Sequence, residues 1–254
     1  LAAEQFQMLE ALLPGRIDLR LGRRPGTDGA TAYTLRSRLD RREGDDFLER
    51  LHELMLWETR EFPEGHPYNN VVAMPDDTPL PPIWLLGSSD YSAELSAQVG
   101  MGFAFAHHFA SHDAVEAMTN YRNRFTPSRW RSTPHAILAV AAIVADTDDA
   151  AQRLASSADL NRLRRDRGQY APLPSVEEAL AYPYSDSERA AVARNRSRLF
   201  VGSPATVMQT LQPMIDASRP DELMVITAVY DHGARKKSYD LLADAFGLSK
   251  RAAA

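Results

Sequence analysis

Residues 135–145 read HAILAVAAIVA, an apolar run with no polar alternation. As a strand it must be covered on both faces, the situation of a parallel sheet between layers of other structure. A buried helix satisfies the same pattern. The run is far short of the ~20 residues that cross a bilayer, so it belongs to a packed core. Apolar residues make up 44% and charged residues 25% of the 254-residue chain, the balance of a globular protein able to bury such a core.

Helix and strand signals alternate on both sides of that run. Residues 1–13 set Phe6, Leu9, Leu12 and Leu13 at helical spacing, and Pro14-Gly15 ends the helix. Residues 17–22 (IDLRLG) alternate as a strand does. The polar loop RRPGTDG follows, then a helix over about 30–39. A strongly amphipathic helix over 45–60 carries Phe47, Leu48, Leu51, Leu54 and Met55 on one side. After an irregular stretch at 61–82, residues 83–86 form a short buried strand that runs into Gly-Ser-Ser. A helix over 92–99 is closed by Gly100. Residues 103–109 (FAFAHHF) read as a strand and 114–124 as a helix. Beyond the apolar run come a helix over 149–163 and a Pro-interrupted stretch over 170–184. A helix then starts at Ser203-Pro204, an N-cap serine with proline in the first position, and ends near 217. Residues 223–230 form a strand and 234–246 the last helix. Five strands alternating with helices predict a parallel sheet with crossover helices. No internal repeat or linker divides the chain, so it reads as one domain over 1–254.

Composition excludes several kinds of chemistry. The chain has no cysteine, hence no disulfide, thiolate metal site or cysteine nucleophile. Its net charge is −5 and no basic tract with interleaved aromatics occurs, which argues against nucleic acid. With no membrane span and no opening signal peptide, the cytoplasm is the expected location. Neither a Walker loop nor G-x-G-x-x-G is present, and no metal site or nicotinamide fingerprint is expected.

Three places remain. The stretch WLLGSSDYSAEL (84–95) stops a buried strand at Gly87 and sends Ser88, Ser89 and Ser92 into the start of a helix. First-turn N–H groups lack partners within a helix, and the helix dipole favours an anion beside them. Hydroxyls beside such groups make a phosphate cradle. The plainer reading is that Ser89 or Asp90 caps the helix. Arg23 follows the 17–22 strand, where the C-terminal end of a barrel strand would place it, and a guanidinium there suits a phosphate. A solvated loop arginine is the alternative. His107 and His108 end the 103–109 strand. Neighbours on a strand point to opposite faces, so one would face the barrel mouth and the other pack under a helix. His232 follows the last strand and reads as a loop histidine.

Together these segments resemble the luciferase-like monooxygenase family. The matching runs are AEQFQMLEALLPGRIDLRLGRRPGTD from Ala3, PLPPIWLLGSSDYSAELSAQVGMGFAFAHHF from Pro79, and FVGSPATVMQTL from Phe200 with DELMVITAVYDHGARKKSYDLLADAF beyond it. The resemblance implies a (β/α)8 barrel with FMN over the C-terminal strand ends. It implies phosphate binding by Arg23 and by Ser88, Ser89 and Ser92 in the turn after Gly87. It also implies a flavin and substrate face at Ala106, His107 and His108, the two histidines being the candidate catalytic residues. By the same resemblance, residues 1–13 match the family's third helix. The first three strands and two helices would then lie upstream, somewhat under 90 residues at about 30 per unit. The chain therefore reads as an N-terminally incomplete barrel, with closure by a partner as the alternative.

The implied activity is oxygenation of a small organic substrate by O2 and reduced FMN, the flavin coming from a separate reductase. Homodimers are common among such proteins. Two alternatives stand beside it: a coenzyme F420-dependent hydride-transfer enzyme on the same barrel, and a non-catalytic flavin-binding protein or inactive fragment.

Overall fold

The computed structural model describes residues 1–23, 31, 34, 46–110 and 112–248. The helix expected over 30–39 lies outside the described residues apart from Thr31 and Thr34, which are helical. The described elements are α1 (Ala2–Leu12), β1 (Leu19–Gly22), α2 (Phe47–Thr59), β2 (Ile83–Gly87), α3 (Asp90–Val99), β3 (Gly102–Ala106), a 3-10 turn (His107–Phe109), α4 (Ala114–Arg124), β4 (Ala136–Val144), α5 (Asp148–Asp166), α6 (Val176–Ala181), α7 (Asp186–Arg196), β5 (Leu199–Gly202), α8 (Pro204–Ser218), β6 (Glu222–Ile226) and α9 (His232–Ala245).

Every strand pair is parallel, as the alternation requires. The apolar run is β4, a strand and not a helix, and three strands share it. Ala141 pairs with both Leu199 of β5 and Ile226 of β6, so those two strands lie on opposite edges of β4. β3 pairs with Ala136 to Ala139, where β6 also pairs, so β3 and β5 follow one another along a single edge. Sequence reading missed β5, whose four residues are too few to show a period. Two predicted strands also end early, at Ala106 and Ile226.

β4 is buried on both faces. Leu138, Val140, Ala142 and Val144 pack with Phe103, Phe105 and residues of α3, α4, α8 and α9. From the other face Ile137 meets Trp84, Ala104 and Met224. Four strand spacings separate β1 from β6 along the sheet, about 19 Å if it were flat. Yet Arg20 Nη1 on β1 lies 3.2 Å from Met224 Sδ on β6. The sheet is therefore curled like a barrel wall. It is also open: among the described residues the outer edges of β1 and β6 pair with no strand.

Local chemistry sets the junctions. Gly100 closes α3 at φ 65°, and a Cβ there would stand 2.5 Å from Ser128 Cβ and Thr126 O. Only glycine meets both demands. Ser203 caps α8 through the Thr206 N–H, with Pro204 in the first position, as expected. Buried Tyr121 holds the entrances of β3 and β4 together. Its hydroxyl donates to Met101 O at 2.9 Å and accepts from His135 N at 3.1 Å. Tyr121→Phe strands both groups away from water, so it is expected to cost about 1–3 kcal/mol, read as a lower urea midpoint at unchanged slope. A loss below about 0.5 kcal/mol would remove the hydroxyl from this role.

Candidate functional site

Because all strands run the same way, their C-terminal ends form one rim. The opposite end is plugged: Arg131 lies 4.8 Å over the Trp84 ring, and His135 meets that ring edge-on at 5.1 Å while bonding Glu222 at 2.9 Å. Gly22 of β1 is in register with Leu86, so Arg23 and Gly87 leave adjacent strands at the same level. At Gly87 the chain turns into α3, and Ser92 folds back over it. A Cβ on Gly87 would lie 2.0 Å from Ser92 Oγ. Ser89 takes the N-cap position in extended backbone (φ −147°, ψ 164°), but its side chain makes no cap hydrogen bond. The plainer reading of Ser89 as a cap is thus not what its hydroxyl does. Among the described residues the hydroxyls of Ser88, Ser89 and Ser92, all half-buried, are committed to no hydrogen bond. Arg23 stands with its guanidinium 4.8 Å over the ring of Tyr91, in the first turn of α3. The four sequence-derived phosphate residues and Gly87 are therefore brought to one place. Its inventory is a positive charge, three hydroxyls and a helix N-terminus, the donor set that an anion requires.

Ala106, half-buried, ends β3 and is in register with Ala139. The strand predicted to reach Phe109 stops here, and His107 to Phe109 form a 3-10 turn instead. The cause is the shared edge of β4: β5 takes it over from Ala141, so β3 must leave. His108 then sets Nδ1 3.3 Å from the carbonyl of Ala139, the last β4 residue that β3 reaches. A carbonyl only accepts, which assigns the proton to Nδ1 and leaves Nε2 as an acceptor. His107 turns the other way. Its ring lies 6.0 Å from Phe200, which packs against the core of Leu138 and Val140, and among the described residues neither ring nitrogen has a hydrogen-bond partner. The histidines thus diverge, but through a turn and not through strand alternation.

Both imidazoles are held below the ordinary value of 6.5. Burial is the main cause for each. His108 and Arg198 lower His107 further against the pull of Asp113. For His108 the carbonyl of Ala139 opposes burial and Arg162 adds to it. As pH falls the unfolded chain protonates first. The stability linked to these rings is complete above the unfolded value and is lost as pH drops through their folded values. An NMR titration is expected to give imidazole midpoints below 6.5 for both, and a midpoint at or above that value for either ring would contradict the burial argument.

For the segment after β4, sequence reading gave a helix over 149–163, as found, but no functional residue. Leu154, Ala155 and Ala158 of α5 pack with Ile143, Val201 and Val229 near the rim. Arg162 on the same helix acts on His108. His232 begins α9, exposed, with its Nδ1 2.9 Å from Arg235.

A profile of the luciferase-like monooxygenases matches residues 1–218. The chain belongs to that family. It is 41% identical over 242 residues to the Bacillus subtilis protein YvbT, covering 95% of this chain and 70% of that one. It is 38% identical to a luciferase-like monooxygenase of Escherichia coli K12, covering 95% and 71%. The crystal structure of apo-MsnO8 superposes with a TM-score of 0.84 at 34% identity, covering 98% of this chain and 73% of that one. Two more distant structures share the fold. One is the oxygenating constituent of 3,6-diketocamphane monooxygenase from Pseudomonas putida, in complex with FMN (TM-score 0.55, 21% identity, 98% and 76% covered). The other is an F420-dependent secondary alcohol dehydrogenase (TM-score 0.61, 10% identity, 96% and 74% covered). The curled parallel sheet is thus of the luciferase-like barrel type, seen here as an open arc.

Proposed function

We propose that this chain carries the phosphate-binding and substrate-facing parts of a flavin-dependent monooxygenase that uses reduced FMN and O2 on a small organic substrate. The observation that carries the reading is the uncommitted trio of Ser88, Ser89 and Ser92 at the start of α3, beside Arg23. The residues fit the group: Gly87 lets Ser92 close over the turn, and a side chain there would fill the cradle. Bound FMN would supply the electrons that activate O2. The protein residues hold its phosphate, with Arg23 as the countercharge and the serines and first-turn N–H groups as donors. Ala106 presents a methyl where a larger side chain would crowd the ring. His108, neutral with Nε2 available as an acceptor, is the group placed to hold a proton at the substrate, and His107 packs behind it. A separate reductase supplies the reduced flavin, and the protein works as a homodimer.

The test is fluorescence titration with oxidised FMN, reduced FMN and F420. FMN is expected to bind, and Arg23→Ala to weaken it by about 1.5–3 kcal/mol, the worth of a charge-assisted hydrogen bond. Unchanged affinity in Arg23→Ala removes that residue from the site. Tight F420 binding without FMN binding makes the protein a hydride-transfer enzyme instead. Gly87→Ala sets a Cβ 2.1 Å from Ser92 Cβ, a clash that side-chain rotation does not relieve, so it is expected to displace the start of α3, weaken FMN by about tenfold and lower the unfolding midpoint as well; FMN binding equal to the parent's would remove Gly87 from the cradle.

A further inference from the structure

α5 carries four arginines, and three are neutralised. Arg153 pairs with Glu177 at 3.1 Å, Arg162 with Asp166 at 2.9 Å and Arg164 with Glu178 at 2.8 Å. Two further arginines of the segment are matched too, Arg167 with Glu188 and Arg196 with Asp159, each at 2.7 Å. Arg165 is the exception on α5. Among the described residues it meets no carboxylate, and its guanidinium lies 5.9 Å from the ring of Tyr170. Asn161 stands one turn earlier on the same helical face. With Ala171, Pro172 and Leu173 these residues line a cleft of about 400 Å³, the size of a small-molecule site.

The helix that carries the cleft also borders the candidate site. Leu154, Ala158, Arg162 and Arg165 recur at helical spacing along one stripe of α5. The inner end of that stripe packs near the rim through Leu154 and Ala158, and Arg162 acts on His108. Arg165 lies three residues farther, about 4.5 Å along the helix axis. The cleft and the helix face that packs near the rim thus belong to one stripe of α5.

We propose that this cleft is the subsite for the carboxylate of the substrate, and that the substrate class is a small organic acid with an apolar or aryl body. The guanidinium and the Asn161 amide offer parallel N–H donors to a carboxylate. The exposed Tyr170 ring, with Pro172 and Leu173, offers the apolar wall. This assignment rests on the flavin-site reading for which end of the acid reacts, but the binding step does not need the cofactor.

Calorimetric titration of the full chain with phenylacetate, phenylacetamide and inorganic phosphate tests it. Phenylacetate is expected to bind, the amide to bind about tenfold more weakly or less, and Arg165→Gln to lose about tenfold in phenylacetate affinity. Arg194→Gln, an exposed arginine of α7, is the charge control and is expected to bind as the parent does. Equal binding of the amide, an unaffected Arg165→Gln, or no phenylacetate binding at millimolar concentration overturns the proposal. So does inorganic phosphate displacing phenylacetate at equal concentration, since the cleft would then take any anion. FMN titration of Arg165→Gln separates the two readings. Loss of FMN together with phenylacetate gives the cleft to the flavin and ends the organic-acid assignment. A parent that binds phenylacetate through Arg165 but no FMN keeps the subsite and ends the cofactor reading.

Discussion

The ladder along β4 is the constraint on which the rest depends. One nine-residue strand serves three neighbours, β6 on one edge and β3 then β5 on the other. Each pairing is parallel, so each return needs a crossover that lays helices on the sheet. That explains the composition of β4, all alanine, valine, isoleucine and leucine, with no side chain needing water on either face. It also explains the curl that brings Arg20 to Met224, since a twisted parallel sheet under helices bends round its inner face.

The same sharing builds the rim. Where β3 gives way to β5, the chain must leave the sheet, and the 3-10 turn sends His107 into the helix-side core and His108 to the Ala139 carbonyl. Two adjacent histidines thereby acquire different surroundings and the same direction of pKa displacement. On the adjacent strand, β2 ends in a glycine for a different reason: Ser92 needs the space above Gly87. The polar chemistry of the rim thus sits on junctions dictated by packing, which holds it in place without loops of its own.

Much of this was legible in one dimension. Alternating periods imply a parallel sheet, and Gly-Ser-Ser before a helix implies an anion cradle, because both depend on neighbours within a few residues. Ser203-Pro204 and Gly100 announce their helix ends for the same local reason. The segment of α5 to α7 carried no readable motif. Its organisation lies in pairings such as Asp159 with Arg196 and Arg164 with Glu178, which no spacing rule encodes.

By itself the sequence determined the order of five strands and the fold class, and it singled out Arg23, Gly87, Ser88, Ser89 and Ser92 as an anion-site candidate, since hydrophobic period and turn chemistry act over short range. Only the tertiary structure decided that β5 exists, that the strand before His107 ends at Ala106, which way each histidine turns, and that among the described residues Arg165 alone on α5 meets no carboxylate. Those outcomes depend on which edge of β4 is already occupied and which charges meet across helices. Both are properties of distant segments brought together, to which local spacing is blind.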